Sequence, residues 1–170
     1  MLQDSSCNMQ NRIGYGIDAH RLEAGIPLIV GGVSISFPKG SKGHSDGDVL
    51  FHAIVDAILG SLALGDIGQH FPSDEFRWEN ANSRKFLDRA FTLMTEKGFS
   101  IVNVDATIIL QDPKLISHIL QMRKNLADIF SADLDQISVK ATTTDKMGFI
   151  GKGEGIAATA VVLISSNNGS

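Results

Sequence analysis

Gly43-His-Ser-Asp-Gly-Asp48 runs directly into Val49-Leu-Phe-His-Ala-Ile-Val-Asp-Ala-Ile-Leu-Gly-Ser-Leu-Ala-Leu64, and this junction decides how the chain folds. The first part is dense in residues that cap helices. In the second, Val49, Phe51, Ile54, Val55, Ile58, Leu59 and Leu62 recur at helical spacing, which predicts a helix over 49–64. His52 stands out on it, with Asp48 and Asp56 one turn to either side, so the three form a polar stripe on an otherwise apolar helix.

Upstream, Arg12-Ile-Gly-Tyr-Gly-Ile-Asp-Ala-His20 alternates small or apolar with polar residues and reads as a strand. Leu28–Val30 and Val33–Phe37 flank Gly31-Gly32, a pair suited to the positive φ angles of a two-residue hairpin turn. Downstream, residues 65–82 have loop composition and exceed the common connection length. A second helix is expected over Ser83–Lys97, with Ser83 as N-cap and Gly98 as stop, and a third over Leu115–Phe130. Ile101–Leu110, Ile137–Thr144 and Gly155–Ser165 read as strands. The order ββ(β)ααβαββ implies an α+β fold, a single domain with a mixed β-sheet and three helices packed on one face. The domain is expected over 12–165, between flexible tails at 1–11 and 166–170. The other sheet face must stay solvated or meet a partner, and the mostly apolar segment Ile156–Ile164 is expected to be buried between subunits of a homo-oligomer.

Composition narrows the function classes. The 170 residues are 43% hydrophobic and 20% charged, which suits one globular domain that folds without a metal or a disulfide; a metal site is therefore read as catalytic. A net charge of −4, with neither sign in a long run, argues against a dedicated nucleic-acid binder. The lone Cys7 has no partner, and Met1–Asn11 lacks the basic and apolar regions of an export signal. No uncharged apolar run reaches the roughly 18 residues that a membrane span needs. A cytoplasmic protein with no membrane partner is expected.

Asp18 and His20, two apart on the first strand, project from one sheet face. With His52 they make two imidazoles and a carboxylate, the donor set of a catalytic zinc that keeps one position open, and Asp56 or Asp48 is placed to hold His52 from behind. Spacing alone also allows three separate polar residues. His44 and Ser45 sit before a helix N-terminus, where backbone N–H groups and the macrodipole favour a phosphate, although Ser45 or Asp46 as an ordinary cap explains the segment equally. Residues 141–155 combine Thr142, Thr143, Thr144, Asp145 and two lysines with four glycines directly after a strand. That composition suits phosphates, with Asp145 free for a cation, or else a flexible turn.

Taken together, Asp-Ala-His at 18–20, His-Ser-Asp-Gly-Asp-Val at 44–49 with His52, Leu-Gly-Asp-Ile-Gly at 64–68, Phe-Pro at 71–72, Gln-Asp-Pro-Lys at 111–114 and Lys-Ala-Thr-Thr-Thr-Asp-Lys at 140–146 resemble the 2-C-methyl-D-erythritol 2,4-cyclodiphosphate synthases. The resemblance runs in register from about residue 12 to 164. It implies a homotrimeric lyase of non-mevalonate isoprenoid precursor biosynthesis with active sites between subunits. That enzyme converts 4-diphosphocytidyl-2-C-methyl-D-erythritol 2-phosphate to the cyclic diphosphate and CMP. By the same resemblance Asp18, His20 and His52 hold zinc, Asp145 holds a second divalent cation, magnesium or manganese, and His44 and Thr143 stabilise the transition state. Ser45, Asp66, Ile67, Gly68, Phe71 and Asp74 or Glu75 would contact the phosphate and methylerythritol parts. Leu110, Pro113, Lys114, Leu115 and Ile116 would form the cytosine pocket, and Thr142, Thr144, Phe149 and Lys152 would complete the diphosphate site. An isoprenoid diphosphate on the trimer axis is a further implied partner. Asp145 and Lys152 stand where Glu and Arg are common in that family, and Ser73-Asp74 follows Pro72 where Asp often comes first. Two other readings are a zinc hydrolase of a nucleoside diphosphate ester and a module that binds a phosphorylated ligand without turnover.

Overall fold

The structure, a computed structural model, describes residues 10–72, 75, 78 and 81–166. Among them the elements run β1 (Asn11–Ala24), β2 (Leu28–Val30), β3 (Val33–Ile35), β4 (Lys39–Ser41), α1 (Val49–Ser61), α2 (Ile67–His70), α3 (Arg84–Glu96), β5 (Phe99–Ile109), α4 (Ile119–Phe130), β6 (Ile137–Thr142), α5 (Gly148–Gly151) and β7 (Gly155–Ser166). A five-stranded sheet in the order β4-β1-β7-β5-β6 is antiparallel except for the β5/β6 pair, and β2 and β3 form a separate hairpin. The mixed α+β architecture is as expected, with five α-helices in place of three. The additions, α2 and α5, have four residues each, too few to show a helical period. β4 was likewise invisible, since Lys-Gly-Ser has no strand propensity and is extended only by pairing with Leu22–Ala24.

Several boundaries move for local reasons. α1 stops at Ser61 because Ala63 takes a left-handed backbone, with φ 55°. α4 starts at Ile119, after a turn that holds Leu115 buried. β1 begins at Asn11 and β7 ends at Ser166, and Gln10 N–H donates to Ser166 Oγ at 2.9 Å.

α1 lies across β1 and β7, so closely that a Cβ on Gly14 would sit 1.7 Å from the carbonyl oxygen of Ala57, and one on Gly16 2.0 Å from that of Ala53. Glycine is required at both places. The same face of β1 continues through Asp18 and His20, bringing them under the N-terminal half of α1. The hairpin forms as its Gly-Gly pair predicts, with φ 60° at Gly31 and 71° at Gly32. Both of those amides donate to the wholly buried Asp48, at 2.9 and 2.7 Å, and Asp48 also caps α1 by accepting from the amides of Leu50 and Phe51. Burial pushes its carboxyl up to about 6 even though the amide donors pull the other way.

The core fills the space between the sheet and α1, α3 and α4. β7 lies between β1 and β5, and on one face its Ile156, Ala158, Ala160, Val162 and Ile164 are buried inside the chain. The other face of the sheet carries the outward apolar surface, mainly from β1, where Ile13, Tyr15 and Ile17 are 72, 59 and 58% exposed, and from Val161 of β7 at 42%. Tyr15 and Val161 are register partners. No helix is long and apolar enough to cross a membrane among the described residues.

Candidate active site

Asp18 and His20 rise from β1 to meet His52 of α1. Asp18 Oδ2 lies 2.7 Å from His20 Nε2 and 3.0 Å from His52 Nδ1, and the two ring nitrogens are 3.2 Å apart. Tetrahedral zinc with bonds of ~2.0–2.1 Å keeps neighbouring donors roughly 3.3 Å apart, so this triangle fits that ion with little adjustment. Among the described residues it is the one His, Cys, Asp and Glu cluster with donors so convergent. Burial disfavours the charge on Asp18, but the hydrogen bonds and fields of His20 and His52 outweigh it and hold the carboxyl well below its usual range. Burial likewise opposes the charge on His20, and Asp18 overrides it, raising the imidazole.

The support behind His52 differs from expectation. Neither carboxylate is hydrogen-bonded to its ring: Asp48 meets His52 only through the backbone, its carbonyl accepting from His52 N–H at 3.1 Å, while its side chain serves the hairpin and the helix cap, and Asp56 Oδ1 accepts from Ile67 N–H at 2.7 Å, fixing the start of α2. His52 Nε2 instead meets Ser83 Oγ at 2.8 Å and Ser45 Oγ at 3.2 Å. Ser83 Oγ makes a short hydrogen bond to Asp46 Oδ1, and Ser83 N–H donates to Asp46 Oδ2 at 3.1 Å. Ser83 sits at the N-cap position of α3 as predicted but makes no capping hydrogen bond. The expected anion seat is also altered, because the Leu50 and Phe51 amides are taken by Asp48, and the segment before α1 lines the cleft with Lys42, Gly43, His44 and Ser45.

The Asp18, His20 and His52 triangle opens into a cleft of about 690 Å³, to which His44, Ser45, Ile67, Gly68 and Phe71 all contribute. In one wall the predicted Phe71 is joined by two residues that the sequence does not mark as part of the site, Trp78 and Phe86. Phe71, Trp78 and Phe86 stack with centroids 4.6 to 5.4 Å apart, and the Phe86 ring lies 5.9 Å from that of His52. Phe86 was legible only as a core position of α3, and Trp78 only as part of the loop. A second cleft, of about 480 Å³, gathers Leu110, Pro113, Lys114, Leu115, Ile116, Thr142 and Thr143.

The remaining predicted residues that the structure describes line neither cleft. Asp66 caps α2 through Gln69 N–H, and Glu75 N–H donates to Pro72 O, while Asp74 is outside the described residues. Thr144 Oγ1 donates to Met147 O at 2.7 Å. Asp145 is exposed on a left-handed turn with φ 50°, and its amide donates to Thr143 Oγ1 at 3.3 Å. Phe149 borders a third cavity with Arg21 and Glu154, and Lys152 closes α5. No residue lines both main clefts.

Residues 11–165 match the YgbB family. The 2-C-methyl-D-erythritol 2,4-cyclodiphosphate synthase of Geobacter sulfurreducens is 58% identical over 153 residues, covering 90% of this chain and 98% of its own length, and that of Alkaliphilus oremlandii is 55% identical with the same coverage. Among solved structures, IspF of Plasmodium falciparum in complex with CDP superposes with a TM-score of 0.83 at 38% identity, covering 93% of this chain and 97% of that one. The bifunctional IspDF of Campylobacter jejuni gives a TM-score of 0.90 at 41% identity, with 94% of this chain matching 43% of that one. The chain therefore belongs to the YgbB family, whose curated members named here are 2-C-methyl-D-erythritol 2,4-cyclodiphosphate synthases.

Proposed function

We propose that the chain is a phosphorus–oxygen lyase that closes 4-diphosphocytidyl-2-C-methyl-D-erythritol 2-phosphate into 2-C-methyl-D-erythritol 2,4-cyclodiphosphate, releasing CMP in isoprenoid precursor biosynthesis. The observation that carries this reading is the convergence of Asp18, His20 and His52 at the floor of a cleft, in a chain of this family. A 2-phosphate oxygen attacks the β-phosphorus, and the bond from that phosphorus to the bridging oxygen breaks, leaving its electron pair on CMP. Because the nucleophile belongs to the substrate, the protein needs no activated Ser or Cys, and its task is to hold two anions together and stabilise the charge that develops.

Asp18, His20 and His52 would hold zinc, which when bound supplies Lewis-acid polarisation of a phosphoryl oxygen. His44 and Thr143 would donate hydrogen bonds as negative charge grows on the phosphoryl oxygens. Asp145 offers a single carboxylate for a magnesium or manganese ion, a ligand set suited to a cation that keeps waters and takes diphosphate oxygens. Ile67, Gly68 and Phe71 would seat the methylerythritol, and backbone groups of Leu110–Ile116 would read the cytosine edge.

Separation of the two clefts supports a homotrimer in which one chain's metal cleft is completed by a neighbour's cytidine cleft. The exposed apolar row of Ile13, Tyr15 and Ile17 gives such an assembly a face to bury. An isoprenoid diphosphate is proposed as a ligand of the trimer axis, to be sought by native mass spectrometry. The hydrolase reading has no observation in its favour, since the curated relatives compared are synthases. Incubation with the substrate, zinc and magnesium, followed by ³¹P NMR, tests the assignment. Coupled signals of a cyclic diphosphate appearing with CMP are expected; an open-chain diphosphate or unchanged substrate refutes it.

A further inference from the structure

Ser83 is 0% exposed and occupies the N-cap position of α3, yet its backbone is helical, with φ −62° and ψ −16°, and its side chain makes no capping hydrogen bond. Its hydroxyl is engaged elsewhere. A hydroxyl has one proton, and an ionised carboxylate only accepts, so the short bond between Ser83 Oγ and Asp46 Oδ1 directs that proton to Asp46. What Ser83 Oγ then presents to His52 Nε2, 2.8 Å away, is a lone pair. Nε2 must therefore be the donor, and Nδ1, which faces Asp18 and His20, is the atom left to coordinate when an ion is bound. Ser45 Oγ, 3.2 Å from both His52 Nε2 and Ser83 Oγ, does not change this assignment, because its single proton can turn to Ser83 or to the cleft.

We infer that Ser83, oriented by Asp46, is a positioning residue of the metal site: it fixes the His52 proton on Nε2 and so aims the Nδ1 lone pair at the ion. The inference rests on the zinc site proposed above. Asp46 is in turn held by tertiary contacts, donating its own N–H to Ala81 O at 3.0 Å and accepting from Ser83 N–H. The loop before α1 and the start of α3 thus form one frame around the imidazole. Outer partners of this kind typically set metal affinity by tenfold to a hundredfold.

The test compares the wild-type protein with Ser83→Ala and Asp46→Asn, using competition with a chromophoric chelator for zinc affinity and ¹⁵N-histidine NMR for the Nε2 proton. Ser83→Ala is expected to fold normally by circular dichroism, to bind zinc ten- to a hundredfold more weakly, and to lose the slowly exchanging Nε2–H signal of His52 in both metal-free and zinc-loaded protein. Asp46→Asn is expected to show a smaller loss in the same direction, since Asn keeps an oxygen for Ser83. Wild-type affinity in Ser83→Ala together with a retained, slowly exchanging Nε2–H overturns the inference. Failure of the wild-type protein to bind zinc overturns the metal reading instead, and the Nε2–H signal of the metal-free proteins still decides the role of Ser83.

Discussion

His52 joins two kinds of contact, with donors of β1 on one ring nitrogen and the start of α3 on the other. Because the core around it is closed by aliphatic and aromatic side chains, the metal site is not needed to hold the fold together. His52→Ala is expected to leave circular dichroism and sedimentation unchanged, to abolish stoichiometric zinc by metal analysis, and to reduce CMP release at least a hundredfold. Asp145 stands apart on its exposed turn, and its removal leaves the β1 donors untouched. Asp145→Asn is expected to retain full zinc while raising the magnesium needed for half-maximal turnover roughly tenfold, corresponding to ~1.4 kcal/mol of lost attraction. An unchanged magnesium titration refutes that role.

Between elements, Asp48 and the two glycines of β1 carry the arrangement. Asn at position 48 supplies one acceptor oxygen in place of two and turns its own N–H groups toward backbone amides, so Asp48→Asn is expected to destabilise the protein by about 1–3 kcal/mol at pH 7. Since burial raises the Asp48 carboxyl to about 6 from 3.8, its contribution to stability is full below about pH 4 and declines as pH rises to 6. The deficit of Asp48→Asn should therefore be larger at pH 4 than at pH 7 in urea unfolding of the metal-free proteins. Gly16→Ala drives a methyl into the Ala53 carbonyl and forces α1 away from β1. A loss of about 3 kcal/mol is expected in the same assay, with weaker zinc binding because His52 moves with the helix. These elements were legible in the sequence because their signals are local: α1 by its period, β1 by alternation, the hairpin by Gly31-Gly32. One-turn α2 and α5 and the three-residue β4 carry no such signal. Asp18, His20 and His52 were identifiable by donor chemistry. Ser83, Asp46, Trp78 and Phe86 were not, since Ser83 meets His52 across 31 positions of sequence, through tertiary structure alone.

At the scale of the whole molecule, the outer sheet face and the division of the site into two clefts point to the same assembly. Tyr15→Glu and Val161→Glu place charges on paired strands where apolar side chains face outward. Each is expected to convert the proposed trimer to monomer in sedimentation equilibrium and to lose CMP release by more than a hundredfold, while zinc content stays unchanged because all three proposed zinc ligands come from one chain. A trimer that persists, or a monomer that remains active, refutes the shared site. The cleft also carries its own optical label. Trp78 is the single tryptophan of the sequence and stands edge-on to both Phe71 and Phe86 at the wall, so tryptophan emission, excited selectively over Tyr15, reports on this cleft. Its emission maximum and quenching by iodide give a dye-free reading of whether the wall is wet or covered, and stopped-flow recording turns the same signal into a clock for ligand arrival.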